Sequence, residues 1–199
     1  MKTRPYTLKK RAESRGATRA RIVRAVMELH EEVGAKGATV SAIAERAGVQ
    51  RLTVYRHFPD ENELFQACTS LWLGLHPPPN PQDWLAITDG ASRSRTALVA
   101  LYTYFRATRR MWIASYRDEE EVPALQGPMR KFRDYLDAIA AGLAEPFAAA
   151  GPKAQIEATV RHAVQFATWQ SLDASGLSVE DAAALATTWI RAAAESKPA

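Results

Sequence analysis

Cysteine and histidine are scarce in this chain of 199 residues. The single cysteine, Cys68, excludes an intrachain disulfide framework, because a bridge needs two thiols. The four histidines stand far apart, at positions 30, 57, 76 and 162, and lack the spacing of metal ligands. We therefore expect no metal site and no cofactor.

Long apolar runs and strand-like alternation are also missing. No apolar run reaches the ~18 residues of a membrane span, and the basic N-terminus lacks the apolar segment of a secretory signal. Together with the single cysteine, this predicts a cytoplasmic protein without a membrane partner. Apolar residues recur at helical spacing and not at every second position, so the fold is predicted to be all-α.

Positive charge is concentrated at the N-terminus. Residues 1–24 contain nine Lys or Arg and one acid, Glu13, so this segment carries +8 while the other 175 residues sum to −4. Such a segment indicates contact with phosphates. The alternative is a solvated tail.

Residues 39–58, TVSAIAERAGVQRLTVYRHF, are the most informative segment. Thr39 is a good N-cap, the apolar residues after it repeat at helical spacing, and Gly48 stands where a helix usually ends. A second short helix begins near Gln50 and turns Val54 and Phe58 inwards. Its outer side chains are hydrogen-bond donors: Arg51, Thr53, Tyr55, Arg56 and His57. This pattern fits the DNA major groove, whereas the alternative is a helical hairpin inside a bundle.

The order T-V-x-x-I-A-x-x-A-G-V, followed by T-V-Y-R-H-F-P-D and E-N-E-L, resembles the TetR family of bacterial repressors. The stretch 21–34 resembles the first helix of that family, so the resemblance covers roughly residues 17–66. It implies an N-terminal three-helix helix-turn-helix DNA-binding domain, followed by a helical ligand-binding and dimerisation domain, with about nine helices in all.

The resemblance also implies roles for single residues. Thr39, Thr53, Tyr55 and His57 match positions that hold the phosphate backbone. Arg51 and Arg56 are the candidates for base edges, because a guanidinium can pair with guanine O6 and N7. Leu52 is a candidate for a thymine methyl, and Gln50, in place of the usual serine cap, completes the predicted DNA-binding set.

One departure from the family pattern concerns charge. Glu61 replaces the usual lysine at the start of helix 4, where the family contacts a phosphate. Two outcomes stay open: Arg51, Arg56 and the basic segment compensate, or the protein binds its operator less tightly.

Three segments are predicted along the chain: a flexible basic arm at 1–16, the DNA-binding domain at 17–60, and the effector-binding and dimerisation domain at 61–199. Helix 4 is the link, and the proline-rich stretch 76–81 is a boundary. Ile22, Val26, Leu29 and Val33 are the predicted inner stripe of helix 1. The nine helices are predicted at about 17–33, 40–47, 51–57, 61–74, 91–108, 111–116, 128–148, 153–174 and 179–195.

Aromatic residues are abundant after residue 83, and the resemblance implies that helices 5 to 8 surround an effector. The candidate effector-binding residues are Tyr102, Phe105, Trp112, Tyr116, Phe166 and Trp169, which suit a largely hydrophobic small molecule. The alternative for each is plain core. The acidic run 118–121 is predicted to be a solvated, helix-ending loop, and the alternative is that it attracts a cation.

The last two predicted helices mix small and large apolar groups on more than one face. By analogy with the family, they form a homodimer through Ala163, Ala167, Gln170, Leu185 and Trp189. In the alternative, the last helix closes a monomeric core.

The sequence therefore predicts a dimeric, ligand-responsive repressor that binds a palindromic DNA operator and is released by a small effector. No nucleophile–base motif or phosphate-binding loop indicates catalysis, so the chain is predicted not to be an enzyme. The alternatives are a small all-helical enzyme that uses the C-terminal pocket, and a DNA-binding protein without an effector.

Overall fold

The computed structural model describes residues 4–196, with side chains described from Glu13 onwards, and its regular elements in that range are all helical. This confirms the all-α prediction for the described part of the chain. None of these helices is both long enough and apolar enough to cross a membrane. The helices are α1 (Arg4–Val33), α2 (Val40–Ala47), α3 (Arg51–His57), α4 (Glu61–Leu75), α5 (Gln82–Leu85), α6 (Gly90–Asp118), α7 (Pro123–Ala144), a 3-10 turn (Glu145–Phe147), α8 (Lys153–Ala163), α9 (Phe166–Ala174) and α10 (Val179–Glu195).

Several helix ends follow from capping residues that the sequence displays. The Thr39 hydroxyl accepts a hydrogen bond from the backbone N–H of Ala42 at 3.3 Å and so caps α2, which ends at Gly48 with a φ of 64°. Ser178 caps α10: its hydroxyl accepts from the backbone N–H of Asp181 at 3.0 Å and donates to the Asp181 carboxylate at 2.6 Å.

Three predicted helix bounds are wrong. Helix α1 begins at Arg4, so residues 4–16 are helical and do not form the predicted flexible arm, and residues 1–3 of that arm lie outside the described residues. Helix α6 is continuous in place of two predicted helices, because no breaker interrupts its Arg-rich middle. Helix α7 begins at Pro123 and not at 128, because proline is well tolerated in a first helical turn.

The predicted helix 153–174 is broken between α8 and α9, although neither Gly nor Pro stands there. Side chains satisfy the carbonyls that the break leaves without helical partners. Tyr102 donates its O–H to the Ala163 carbonyl at 2.7 Å, Thr168 donates to His162 at 2.6 Å, and Gln165 donates to Arg161 at 3.1 Å. The break is therefore stabilised by tertiary and local side-chain donors, which helix propensity does not register.

The chain forms two compact units. The first contains the described residues up to Pro77 together with Ile113–Met129, and the second contains Pro78–Trp112 and the described residues from Arg130. The predicted boundary after residue 60 therefore moves to the proline-rich stretch, because the apolar face of α4 packs into the core of the first unit.

The core of the first unit is mainly aliphatic, and α1 supplies much of it. Val33 is the exception in the predicted stripe: it is 47% exposed, because α1 ends there and the chain turns away at Gly34. The buried core residues are Ile22, Val23, Ala25, Val26, Leu29, Ile43, Ala44, Ala47, Val54, Phe58, Leu64 and Cys68.

The second unit has an aromatic core, and the buried Arg93 side chain is paired inside it. The buried guanidinium of Arg93, near the start of α6, donates to the carbonyls of Ile87 at 2.7 Å and Gly142 at 2.9 Å. It also pairs with the Glu145 carboxylate at 2.7 Å. These bonds tie the start of α6 to the end of α7 and fix the frame in which the aromatic rings pack.

Candidate nucleic-acid interface

Helix α3 turns one narrow face into the core and leaves the rest to solvent. Val54 and Phe58, just after the helix, are 1% and 3% exposed. Leu52 and Tyr55 are 57% and 49% exposed, which is unusual for large apolar side chains on a folded surface. The exposed face is therefore built for contact with something other than this chain's own core.

The polar residues predicted to bind DNA lie together on α3 and its flanks. Arg51 and Arg56 are exposed, and Thr53 and His57 are partly buried at the edge of the helix. Gln50 occupies the N-cap position without a side-chain cap bond, so its amide stays outside the helix. Thr39 is exposed at the start of α2, where its hydroxyl already caps that helix.

Arg46 on α2 belongs to the scaffold of this surface. Its guanidinium binds both carboxylate oxygens of Glu32, at 3.0 and 2.7 Å, and contacts Glu28 at 3.4 Å. These bonds join α2 to α1, the bidentate geometry being specific to arginine. Because two carboxylates already surround it, Arg46 is not part of the candidate interface.

Two arginines of α1 border the C-terminal end of α3. The Arg19 guanidinium lies 4.4 Å from the centre of the Phe58 ring and pairs with Glu63 of α4 at 3.3 Å. Burial, and secondarily the charges of Arg15 and Arg19, lower the pKa of His57 below its ordinary value, so this imidazole is neutral at pH 7. Sequence reasoning missed this cluster, since it treated Arg15 as part of a flexible arm.

Glu61 is one of three acidic residues, with Asp60 and Glu63, at the start of α4. It is exposed in the first turn of α4, where Asp60 caps the helix by accepting from the Asn62 N–H at 2.9 Å. A carboxylate here suits the positive end of the helix dipole and repels a phosphate. The α1 arginines described above, Arg15 and Arg19, also lie at this end of α3.

The second unit brings together five of the six residues predicted to bind an effector. The rings of Phe132, Phe166 and Trp169 lie with their centres 6.2, 5.5 and 6.0 Å from that of Phe105. Trp112 stacks on Phe132 at 3.8 Å. Tyr102 is fully buried in the same unit.

Tyr116, the sixth predicted residue, is assigned to the other unit. It belongs to the first unit and is 36% exposed, because α6 has passed into that unit by Ile113. The polar tips of the clustered residues are engaged within the unit: the Trp112 Nε1–H donates to Thr108 at 3.0 Å, and the Tyr102 O–H donates to Ala163. Burial raises the pKa of Tyr102 far above its ordinary value, so the phenol stays protonated as a donor.

The residues predicted to form a dimer divide by exposure. Ala167 and Leu185 are exposed, and Gln170 and Trp189 are partly buried, so these four leave surface for a partner. Ala163 is fully buried within its own chain, where it closes the core beside the break between α8 and α9. It is therefore removed from the predicted interface.

Known proteins resemble the DNA-binding part of the chain in sequence. Residues 22–68 match the family model described as bacterial regulatory proteins, tetR family. The tetracycline repressor protein class A from transposon 1721 of Escherichia coli is 37% identical over 84 residues, which are 40% of this chain and 39% of that protein. The class C tetracycline repressor of Escherichia coli is 33% identical over 87 residues, 41% of this chain and 40% of its own length. The matched part thus spans about two fifths of each repressor.

Two solved structures share the fold over most of the chain. A TetR-like transcriptional regulator from Rhodococcus sp. RHA1 has a TM-score of 0.61 at 21% identity, covering 87% of this chain and 93% of its own. A second transcriptional regulator from the same organism has a TM-score of 0.53 at 22% identity, covering 90% and 99%. The helix-turn-helix, the sequence match and the fold together define a DNA-binding fold of the transcriptional-regulator class. Residues 22–68 therefore carry the DNA-binding sequence pattern of the tetR family of bacterial regulatory proteins.

Proposed function

We propose that this chain is a transcriptional repressor that binds a palindromic operator as a homodimer and releases it when a small, largely hydrophobic effector binds. The observation that carries the proposal is the outer face of α3. Leu52 and Tyr55 stay exposed there beside Arg51 and Arg56, while Val54 alone of this helix is buried. We assign the chain no catalytic role.

On this surface, the side chains that extend farthest are the ones proposed to contact the base edges of DNA. Arg51 and Arg56 are exposed, and no described residue forms an ion pair with either of them, so both guanidinium groups remain available for base edges. Leu52 supplies an apolar contact for a thymine methyl. Tyr55 and the partly buried residues of α3 are closer to the rim of the surface, which suits phosphate contacts that position without specifying.

Helix α1 supplies, in this proposal, the phosphate contact that a carboxylate at Glu61 cannot make. Arg15 and Arg19 lie beside His57 at the same end of α3, and both are exposed. Arg19 forms an ion pair with Glu63, whose side chain is half exposed. Such an exposed pair contributes little stability and leaves the Arg19 guanidinium accessible to a phosphate.

A homodimer follows from the surface that α9 and α10 leave uncovered. Leu185 is 39% exposed, and Ala167, Gln170 and Trp189 add further uncovered surface on the same two helices. Isologous pairing of this surface would bury it. Two copies of α3 would then contact half-sites about one turn of DNA, roughly 34–36 Å, apart.

The aromatic cluster of the second unit is the proposed effector site. An aromatic core with engaged polar tips suits an apolar molecule that inserts between the rings. Such an effector releases DNA only if it binds the DNA-incompetent state better, since equal affinity for both states shifts nothing.

The test of DNA binding uses duplexes that the full-length protein selects from a random pool, measured by fluorescence anisotropy. Arg51→Ala and Arg56→Ala should each cost about 1–3 kcal/mol on the selected duplex and relax base choice at one definable position. Tyr55→Phe should weaken selected and shuffled duplexes similarly. Arg106→Ala, which removes an exposed cation from the second unit, is the matched control and should change nothing. Full affinity and unchanged preference in both α3 variants would contradict the assignment of base readers.

The effector is tested through the two tryptophans of the cluster. A compound that binds there should quench Trp112 and Trp169, and Trp169→Phe should reduce the signal. Linkage requires that the selected duplex weaken this binding by about 5–150-fold, the usual range of coupling. Equal affinity with and without DNA would leave a DNA-binding protein without an effector.

A further inference from the structure

The C-terminal end of α6 carries a buried carboxylate that belongs to the first unit. Asp118, the last residue of α6, is only 2% exposed. Its carboxylate accepts from the Lys36 backbone N–H at 3.1 Å and from the Arg117 side chain at 2.7 and 3.2 Å. The hydrogen bond from Arg117 is the main reason why the pKa of Asp118 lies below its ordinary value. The prediction of a solvated acidic loop is therefore wrong at Asp118.

The same end of α6 also satisfies the end of α1. Arg117 donates through Nη2 to the Val33 carbonyl at 2.9 Å, one of the last carbonyls of α1 and hence without a helical partner. Three residues beyond Asp118, Glu121 pairs with the Lys36 ammonium at 2.5 Å. The segment 117–121 thus holds the turn 33–36 through backbone and side-chain groups that are more than 80 residues away in sequence.

Gly34 shows how closely the two segments approach. Its φ is 85°, in the left-handed region, and a Cβ built on it would overlap both Arg117 Nη2 and Asp118 Oδ2. Any side chain would therefore displace the Arg117–Asp118 pair as well as strain the backbone. The pair packs directly on the main chain of the turn.

This turn sets where the DNA-reading helices begin. Thr39 caps α2 only three residues after Lys36, and α3 follows α2 across the Gly48 turn. From the last turn of α2, the bidentate Arg46–Glu32 bond also fixes this helix relative to the last turns of α1. Helix α2 is therefore held near both ends: the turn before its start contacts the end of α6, and its last turn is bound to Glu32 of α1.

We propose that Arg117 and Asp118 are positioning residues for the DNA-reading helices, an inference that rests on the proposed DNA binding. They hold the α1–α2 turn so that α3 meets base edges in a fixed orientation. Base-edge hydrogen bonds demand that orientation, whereas attraction to phosphates tolerates a looser one. Loosening the turn should therefore lower the ratio of specific to non-specific affinity and leave the salt dependence of non-specific binding unchanged.

The experiment measures two affinities of the full-length protein, for a duplex it has selected from a random pool and for a shuffled duplex of the same length and composition. Asp118→Asn and Arg117→Ala should each lower the affinity for the selected duplex roughly 3- to 30-fold, a range typical of residues that modulate a distant site. Affinity for the shuffled duplex should stay constant. Arg117→Lys, which keeps the charge but loses the forked geometry, should recover part of the loss.

Controls separate positioning from folding. Glu120→Gln removes an exposed carboxylate two residues away and should leave both affinities unchanged. Combining Arg117→Ala with Asp118→Asn should lower the affinity for the selected duplex little more than either change alone, because both disrupt the same Arg117–Asp118 pair. If Asp118→Asn does not fold by circular dichroism, Arg117→Ala decides, since its side chain is 57% exposed.

The outcomes are distinguishable. An unchanged ratio of the two affinities, or a proportional loss of both, in folded Arg117→Ala would overturn the positioning role. If the unmodified protein selects no duplex at all, the proposed DNA binding itself fails.

Discussion

The two units of this protein differ in where their candidate functional groups lie: on the surface in the first unit and in the interior in the second. In the first unit, α3 directs cationic and polar groups to solvent, and most of the core beneath is aliphatic. In the second unit, the aromatic and phenolic groups point inwards and pair with one another or with backbone carbonyls. A binding surface of exposed cations can be recognised without knowing the partner. A binding site of buried aromatic residues, by contrast, has the same appearance as ordinary core packing.

The same contrast governs how each unit uses its charges. The first unit uses Arg46, Arg117 and Asp118 to join helices that meet at its turns. The second uses one buried guanidinium, Arg93, to bind two carbonyls and a carboxylate. In both units, therefore, some of the arginines are structural, and net charge alone overstates the cations available to a nucleic acid.

The largest expected effect is on the inward-facing unit. Phe105→Ala removes a fully buried ring that contacts four others, so it should lower the free energy of unfolding by about 3–5 kcal/mol. Urea denaturation checks this. Thr103→Ala, an exposed neighbour on α6, should change stability by less than about 0.5 kcal/mol. If Phe105→Ala also changed the free energy of unfolding by less than about 0.5 kcal/mol, the aromatic cluster would be loosely packed.

His30 is a titratable residue of the first unit that faces the core, so it does not follow this contrast. His30 is 7% exposed, packs 4.9 Å from the Phe65 ring and lies 3.6 Å from Cys68 Sγ. Burial lowers its pKa to about 4, against a weaker opposing effect of Asp118. The unfolded chain therefore takes up the proton first, near pH 6.5, and stability is lost as pH falls from there towards 4.

At pH 5 this loss of stability should reach about 2 kcal/mol relative to pH 7.5, measured by urea unfolding at both values. His30→Gln cannot take up that proton, so the difference between the two pH values should shrink by a similar amount. His162→Gln, at an exposed position, should behave as the unmodified protein does. Equal pH dependence in all three would contradict the burial argument.

A smaller effect is expected where the second unit uses a phenol as a structural donor. Tyr102→Phe keeps the ring and leaves the Ala163 carbonyl without its partner, at a cost of about 1–2 kcal/mol. Amide hydrogen exchange around the break between α8 and α9 should rise in the same variant. Protection there that is unaffected by removal of the hydroxyl would show that other groups hold the break.

The smallest effect concerns the outward-facing cations of α1. Arg15→Gln should flatten the slope of log K against log salt by up to about 0.9, as expected for one phosphate contact, and leave the preferred DNA sequence unchanged. Arg106→Gln is the control of equal charge. Identical slopes in the two variants would show that Arg15 contacts no phosphate.

Local rules account for the features that the sequence predicts well. Thr39, Gly48 and Ser178 specify helix ends through their own side chains or backbone freedom, so no tertiary information is needed. The outer face of α3 can be identified because polar and apolar residues alternate there at helical spacing. The site roles of those residues stay predictions until DNA binding is measured.

Distant contacts account for the features that the sequence does not predict. The break after Ala163 depends on Tyr102, 61 residues away, and the burial of Asp118 depends on Lys36, 82 residues away. Neither partner is implied by local pattern. The assignment of Tyr116 to the first unit is likewise not implied by local pattern, because helical spacing cannot show that α6 enters that unit at Ile113.

The break between α8 and α9 has a consequence for how this part of the chain can change length. Each residue added to a helix rotates the remainder of that helix by about 100°. Thr168 and Gln165 donate back across the joint to the carbonyls of His162 and Arg161, so an insertion or deletion at positions 164–165 would misalign both donors at once. Related chains should therefore keep this joint at constant length and accept insertions at exposed turns such as the one around Gly176.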